Sequence, residues 1–198
     1  MVRRVLSVFL ASVMLTSMAM AGMNPDAKVA VHVKGHNPEQ SCGNLPVITG
    51  CADIVTTYPG YSFDAFPVFF DLTEYLALQY GMCWPSWTYS AAWTSCSDLV
   101  IGRIEWPGSG VSQTWLYCQP GPVAIGGWAW IYADGPGMVC LCPHPAGGVI
   151  LVQDCHEGLD EPVCNFCAGV YGAIGDDPCW PSPTEPSSWG DIKRLFKD

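Results

Sequence analysis

Lys28-Val29-Ala30-Val31-His32-Val33-Lys34 alternates residue by residue, the period of a strand with one face in a core and the other outside it. Val29, Val31 and Val33 fall on one side, where a helical period of 3.6 would scatter them. This segment therefore opens a sheet. Outward from it, further strand segments are expected at 63–72, 75–84, 99–106, 111–118, 125–133, 138–142 and 148–154. Turn signals such as Pro107-Gly108-Ser109-Gly110 and Asp134-Gly135-Pro136-Gly137 separate them. The stretch Thr73 to Tyr80 has propensities for either state and is read as strand. Only 13% of residues are charged, while the chain holds 21 glycines and 17 prolines, a composition hostile to long amphipathic helices. The expected fold is all-β: an antiparallel β-sandwich of about eight strands.

The first 21 residues have the three parts of an export signal. Met1-Val2-Arg3-Arg4 is a basic head, 5–20 is an apolar run, and Ala19-Met20-Ala21 fits the small-x-small cleavage rule. Export to the medium, the cell surface or the periplasm follows as the expectation. All eleven cysteines lie beyond this segment: Cys42, Cys51, Cys83, Cys96, Cys118, Cys140, Cys142, Cys155, Cys164, Cys167 and Cys179. In an oxidising compartment cystine pairing is the default. An odd count leaves one sulfur for a free thiol, another chain or a ligand.

Charge narrows the partners. The formal net charge is −10, and the loss of Arg3 and Arg4 with the signal makes it two units more negative. Residues 22–180 hold only Lys28, Lys34 and Arg103 as cations, too few to track a phosphate backbone or an anionic membrane surface. Past the signal no apolar run is long enough to span a bilayer. Neither a nucleic acid nor a membrane span is expected, and no cofactor is implied.

Several clusters carry possible chemistry. Cys140, Cys142, His144, Cys155, His156, Cys164 and Cys167 gather seven soft donors within one short stretch, but only 164 and 167 have the pair spacing of a structural zinc site. Disulfides compete for the same sulfurs, and a redox role of the 164/167 pair is a further alternative. His32 and His36 mimic an i, i+4 metal pair, yet on a strand they stand roughly 13 Å apart, so both are expected as exposed polar positions. Trp128, Trp130 and Tyr132 share one strand face, opposite Ala129, Ile131 and Ala133. They form either a core of large rings or a platform for sugar rings. Gly60-Tyr61-Ser62 and Gly108-Ser109-Gly110 do not complete a nucleophile elbow. Acidic pairs such as Asp160-Glu161 and Asp176-Asp177 are of a kind that is commonly solvated or loosely calcium-binding.

The C-terminal stretch differs in kind. Residues 181–188 form a Pro/Ser-rich linker after a domain at 22–180. In residues 189–198, Trp189, Ile192 and Phe196 make one helical stripe, with Ser188 as N-cap and Lys193, Arg194 and Lys197 as basic neighbours. Such a short amphipathic tail needs a surface to lie on.

Ser188-Trp189-Gly190-Asp191-Ile192-Lys193-Arg194-Leu195-Phe196 resembles the closing peptide of exported, cysteine-rich bacterial proteins that join a signal segment, a β-rich body and a Trp-Gly-x-Ile-Lys-x-Leu-Phe-like ending. The stretch 63–85, a Phe/Val-rich strand running through Leu72 to Tyr80-Gly81-Met82 and a proline, is similar to the early strands of cohesin-like sandwich domains. These resemblances imply a binding module and carry no catalytic residues.

The sequence thus points to an exported, disulfide-stabilised, non-enzymatic module. Its C-terminal peptide, through Trp189, Ile192, Lys193, Arg194 and Phe196, would dock on a protein partner of a sorting or assembly system. Two alternatives stand beside this: a carbohydrate-binding module using Trp128, Trp130 and Tyr132, and a hydrolase or metal-binding protein whose residues converge only in space.

Overall fold

The computed structural model describes residues 22–86 and 88–179, with no side chains described for 88–91. The expected signal segment, linker and C-terminal peptide lie outside the described residues. In chain order the strands are β1 (Lys28–Gly35), β2 (Thr57–Tyr58), β3 (Ser62–Phe70), β4 (Glu74–Cys83), β5 (Thr88–Ser95), β6 (Leu99–Gly102), β7 (Gly110–Pro120), β8 (Val123–Ile125), β9 (Gly127–Ala133), β10 (Gly137–Cys142), β11 (Leu151–Gln153), β12 (Leu159–Asp160), β13 (Cys164–Phe166) and β14 (Ala168–Val170). Among the described residues there is no α-helix, and hence none long and apolar enough to cross a membrane.

Two sheets face each other. The first runs β13-β1-β3-β9-β5, with β8 beside β3; the second runs β12-β11-β4-β10-β14-β2, with β7 on the other flank of β4 and β6 beyond it. Pairing is antiparallel except where β13 meets β1 and β2 meets β14. The disulfide-stabilised β-sandwich read from the sequence is thus the fold. All eight expected segments contain strand, and 125–133 divides at Gly126 into β8 and β9. The sequence reading missed β5 and the short β2, β12, β13 and β14.

β1 behaves as its alternation demands. It pairs antiparallel with β3 from Lys28 opposite Phe70 to Gly35 opposite Phe63, which sends Val29, Val31 and Val33 inward. There they meet Phe63, Phe69 and Ile131 of their own sheet and Leu78, Tyr80, Met82, Val111 and Leu141 of the other. Each large side chain so buried contributes about 1.5–3 kcal/mol.

A polar stitch crosses this core. The buried Tyr80 hydroxyl donates to Gln113 Oε1 at 2.8 Å, and Gln113 Nε2 donates to Ser95 Oγ and to the Gly126 carbonyl, both at 2.6 Å. Tyr80 and Gln113 belong to the second sheet, while Ser95 and Gly126 belong to the first or its connection. A side chain at Gly126 would collide with both the Tyr80 hydroxyl and Gln113 Oε1, so the close approach requires glycine there.

The outer face of the first sheet is sealed by a second core. Ala30, Phe66, Val68, Phe70, Trp128 and Phe166 pack beneath Ile48 and Ile54 of the segment 36–56, called the flap below. Cys42–Cys96 and Cys51–Cys179 pin the flap to the body. The expectation of an exposed His32 is corrected here. His32 is 6% exposed, and its Nδ1 accepts the Val55 N–H at 3.0 Å. Burial pushes its pKa down to about 4, helped by the Lys34 charge and opposed by a backbone hydrogen bond with Asp53. Alternation assigned His32 to the correct face, but it could not reveal that the flap covers that face.

Candidate functional site

The outer face of the second sheet has no such cover among the described residues. It holds an open groove of about 220 Å³ lined by Ala77, Leu99, Ile101, Leu151 and Leu159, with Gln79, Ser112, Thr114 and Gln153 between them. Strand pleating explains the lining: alternate residues of β4, β6 and β7 project to this side. β6 forms one border and pairs only with β7, from Leu99 opposite Thr114 to Gly102 opposite Val111. Its other edge is therefore unpaired among the described residues. Leu99 and Ile101 are 56% and 69% exposed. Native edge strands are usually guarded by charge, proline or a bulge, and Leu99-Val100-Ile101 carries none of these.

On the first sheet, the expected ring set is placed in two environments. Trp128, Trp130 and Tyr132 do share one face, and Ala129, Ile131 and Ala133 point into the inter-sheet core. Trp128 is buried under the flap and presents no face to a sugar. Trp130 and Tyr132 are half-buried and belong to a stack. His36 lies parallel on Trp130 at 4.1 Å, Trp130 leans on Tyr132 at 5.3 Å, and Tyr61 stacks on Tyr132 at 6.2 Å. One indole face is thus occupied from within the molecule, and the well-exposed ring of the set is Tyr61.

Beneath this stack sits a group the sequence reading missed. Asp64 is fully buried, with Oδ1 2.8 Å from His36 Nδ1 and Oδ2 accepting the Asn37 N–H at 3.0 Å. The carboxylate holds the imidazole flat against Trp130, an orienting arrangement. Ser62 Oγ accepts Trp130 Nε1–H at 3.0 Å. The available signal was a single charge in the otherwise apolar strand Phe63-Asp64-Ala65-Phe66-Pro67-Val68-Phe69-Phe70.

The seven soft donors of the zinc reading are not brought together. Cys142 is bonded to Cys83, Cys155 to Cys118, and Cys140 to Cys167. A cystine sulfur has no thiolate to offer a metal. Cys167 therefore forms no pair with Cys164, and the 164/167 redox reading loses one of its two sulfurs. Cys164 belongs to none of the five bridges. Among the described residues the one close donor group is Glu74 with Cys118 and Cys155, whose two sulfurs are halves of one cystine. His156 instead lies 3.4 Å from Glu74. The C-terminal residues Trp189, Ile192, Lys193, Arg194 and Phe196 lie outside the described residues. The structure does describe their point of departure, Cys179, which is tied to Cys51.

The geometry thus defines a class: a disulfide-locked β-sandwich with one sheet face sealed and, among the described residues, the other open. Five cystines fit an oxidising, extracellular setting. No protein-family model matches the chain, and no curated protein does. Among solved structures it is similar to a type II cohesin domain from the cellulosome of Acetivibrio cellulolyticus, at TM-score 0.49 and 9% identity over 76% of this chain and 98% of that one. It is also similar to a non-cellulosomal cohesin from the hyperthermophilic archaeon Archaeoglobus fulgidus, at TM-score 0.47 and 7% identity over 73% and 91%. These are weak likenesses of fold.

Proposed function

We propose that this chain is an exported, non-enzymatic module that binds an extended segment of a protein partner along β6. One observation supports the reading above others: an apolar, unguarded edge strand borders an apolar groove. The free edge of β6 offers main-chain hydrogen bonds to an added strand, whose alternate side chains would lie beside Leu99 and Ile101 on the apolar outer face that continues into the groove. The C-terminal peptide 189–198 then serves sorting or assembly. Its covalently anchored start supports this role, because a load on the tail passes through Cys51–Cys179 into the body.

Two variants test the reading. Extended peptides selected from a display library against the mature protein are expected to lose roughly tenfold or more in affinity on Ile101→Lys, a single buried anchor contributing at least about 1.4 kcal/mol. Binders indifferent to both Ile101→Lys and Leu99→Lys would remove β6 as the site. Deleting residues 187–198 is expected to leave the melting temperature unchanged while abolishing surface retention. A lowered melting temperature would instead mean that the tail packs on its own domain.

A further inference from the structure

At the start of the described chain, three successive backbone nitrogens converge on two carboxylates. Gly22 N lies 3.0 Å from Asp160 Oδ1, Asn24 N 2.8 Å from Asp160 Oδ2, and Met23 N 2.8 Å from Asp154 Oδ2. The N–H groups of His156 and Gly158 donate to Asp154 Oδ1, both at 2.7 Å. Asp154 is 1% exposed and Asp160 8%, yet none of the ion pairs among the described residues involves either. Two buried negative charges held by neutral donors alone are costly, since burial of a carboxylate calls for a counter-ion.

The backbone is shaped to bring Gly22 there. A Cβ on Gly22 would overlap the Asp160 carboxylate, and a Cβ on Gly158 would overlap both the Asp154 carboxylate and the Cα of Gly22. At 158 the neighbouring backbone leaves room for glycine alone, and at 22 a side chain would have to displace the Asp160 carboxylate. The sequence, independently, places the scissile bond of the export signal between Ala21 and Gly22.

We propose that cleavage creates the missing counter-ion. Hydrolysis of the Ala21–Gly22 peptide bond by water leaves a carboxylate on Ala21, which departs, and an α-ammonium on Gly22. That ammonium stands within ion-pair distance of Asp160, beside Asp154, so the mature N-terminus is itself a bound cation that locks β12 and the turn before it to the start of β1. The inference rests on the export reading and extends it: processing releases the chain and also completes its electrostatics.

The test uses the secreted protein as purified. Its N-terminus is determined by intact mass and sequencing, and the α-amino group is labelled near neutral pH with an amine-reactive ester, natively and in urea. The expected result is a start at Gly22 with native labelling roughly tenfold or more slower than in urea, since each unit by which the ammonium is stabilised removes tenfold of the reactive free amine. Asp160→Asn is expected to restore most of that rate. A start at Gly22 with native labelling as fast as in urea would overturn the lock and leave the export reading standing. A retained leader or a different start would overturn both. If Asp160→Asn fails to fold, the wild-type comparison between native and unfolded chains decides alone.

Discussion

The two outward faces of this sandwich are built from similar residues and end in opposite conditions. On the first sheet Ala30, Phe66, Val68, Phe70 and Trp128 project outward and are buried, because a flap held by Cys42–Cys96 and Cys51–Cys179 lies over them. On the second sheet Leu99, Ile101 and Leu159 project outward and stay exposed. An apolar outer face is therefore not diagnostic of function until its cover is known. Where a covalent strap supplies the cover, the face becomes a second core; where none does, it is a candidate for a partner.

Removing the strap should break the comparison most visibly. Cys51→Ser with Cys179→Ser opens a closure of 128 residues, for which the chain-entropy account gives about 5 kcal/mol. That corresponds to a fall of roughly 10–20 °C in a domain of this size, measured by calorimetry. A fall of only a few degrees would mean that the flap holds by packing alone.

Next in size is an effect of pH. His32 titrates at about 4 when folded and near 6.5 when unfolded, so between those values the unfolded chain binds more protons. Stability contributed by the neutral buried ring is therefore full above about pH 6.5 and is lost as pH falls toward 4, by roughly 3 kcal/mol. Denaturant titrations across that window should show the slope, and His32→Gln should flatten it. An unchanged slope would mean that the flap does not bury the ring in solution.

Smaller again is the cost of cutting the stitch between the sheets. Tyr80→Phe keeps the ring and deprives Gln113 Oε1 of its donor, an expected loss of about 1–2 kcal/mol in chemical denaturation. The smallest change in stability belongs to the open face. Ile101→Lys should stay within about 0.5 kcal/mol of wild type, because the side chain is already mostly in water. A larger loss would show that β6 is covered in solution.

Much of the inner core could be read from the chain. The alternation at Val29, Val31 and Val33 named the inward face of β1. The ring face of β9 was also legible. Lost from view was whatever depends on a remote segment lying across a face. His32 and Trp128 sit where periodicity placed them, and only the flap makes them buried. β5 escaped because its alternation is interrupted by a register shift between Ser90 and Ala92, and strands of two or three residues are too short to show a period. Cystine pairing is three-dimensional information too: the near neighbours Cys164 and Cys167 have the spacing of a pair, yet Cys167 is bonded to Cys140, which the pairing of β10 with β14 sets beside it.

The covalent fixing of the flap is what separates the two faces, and a peptide map of the purified protein, digested without reduction, tests it most directly. It should yield the linked peptides Cys42–Cys96, Cys51–Cys179, Cys83–Cys142, Cys118–Cys155 and Cys140–Cys167. Reduced sulfur at Cys42 or Cys51, or either joined to a different partner, would contradict it.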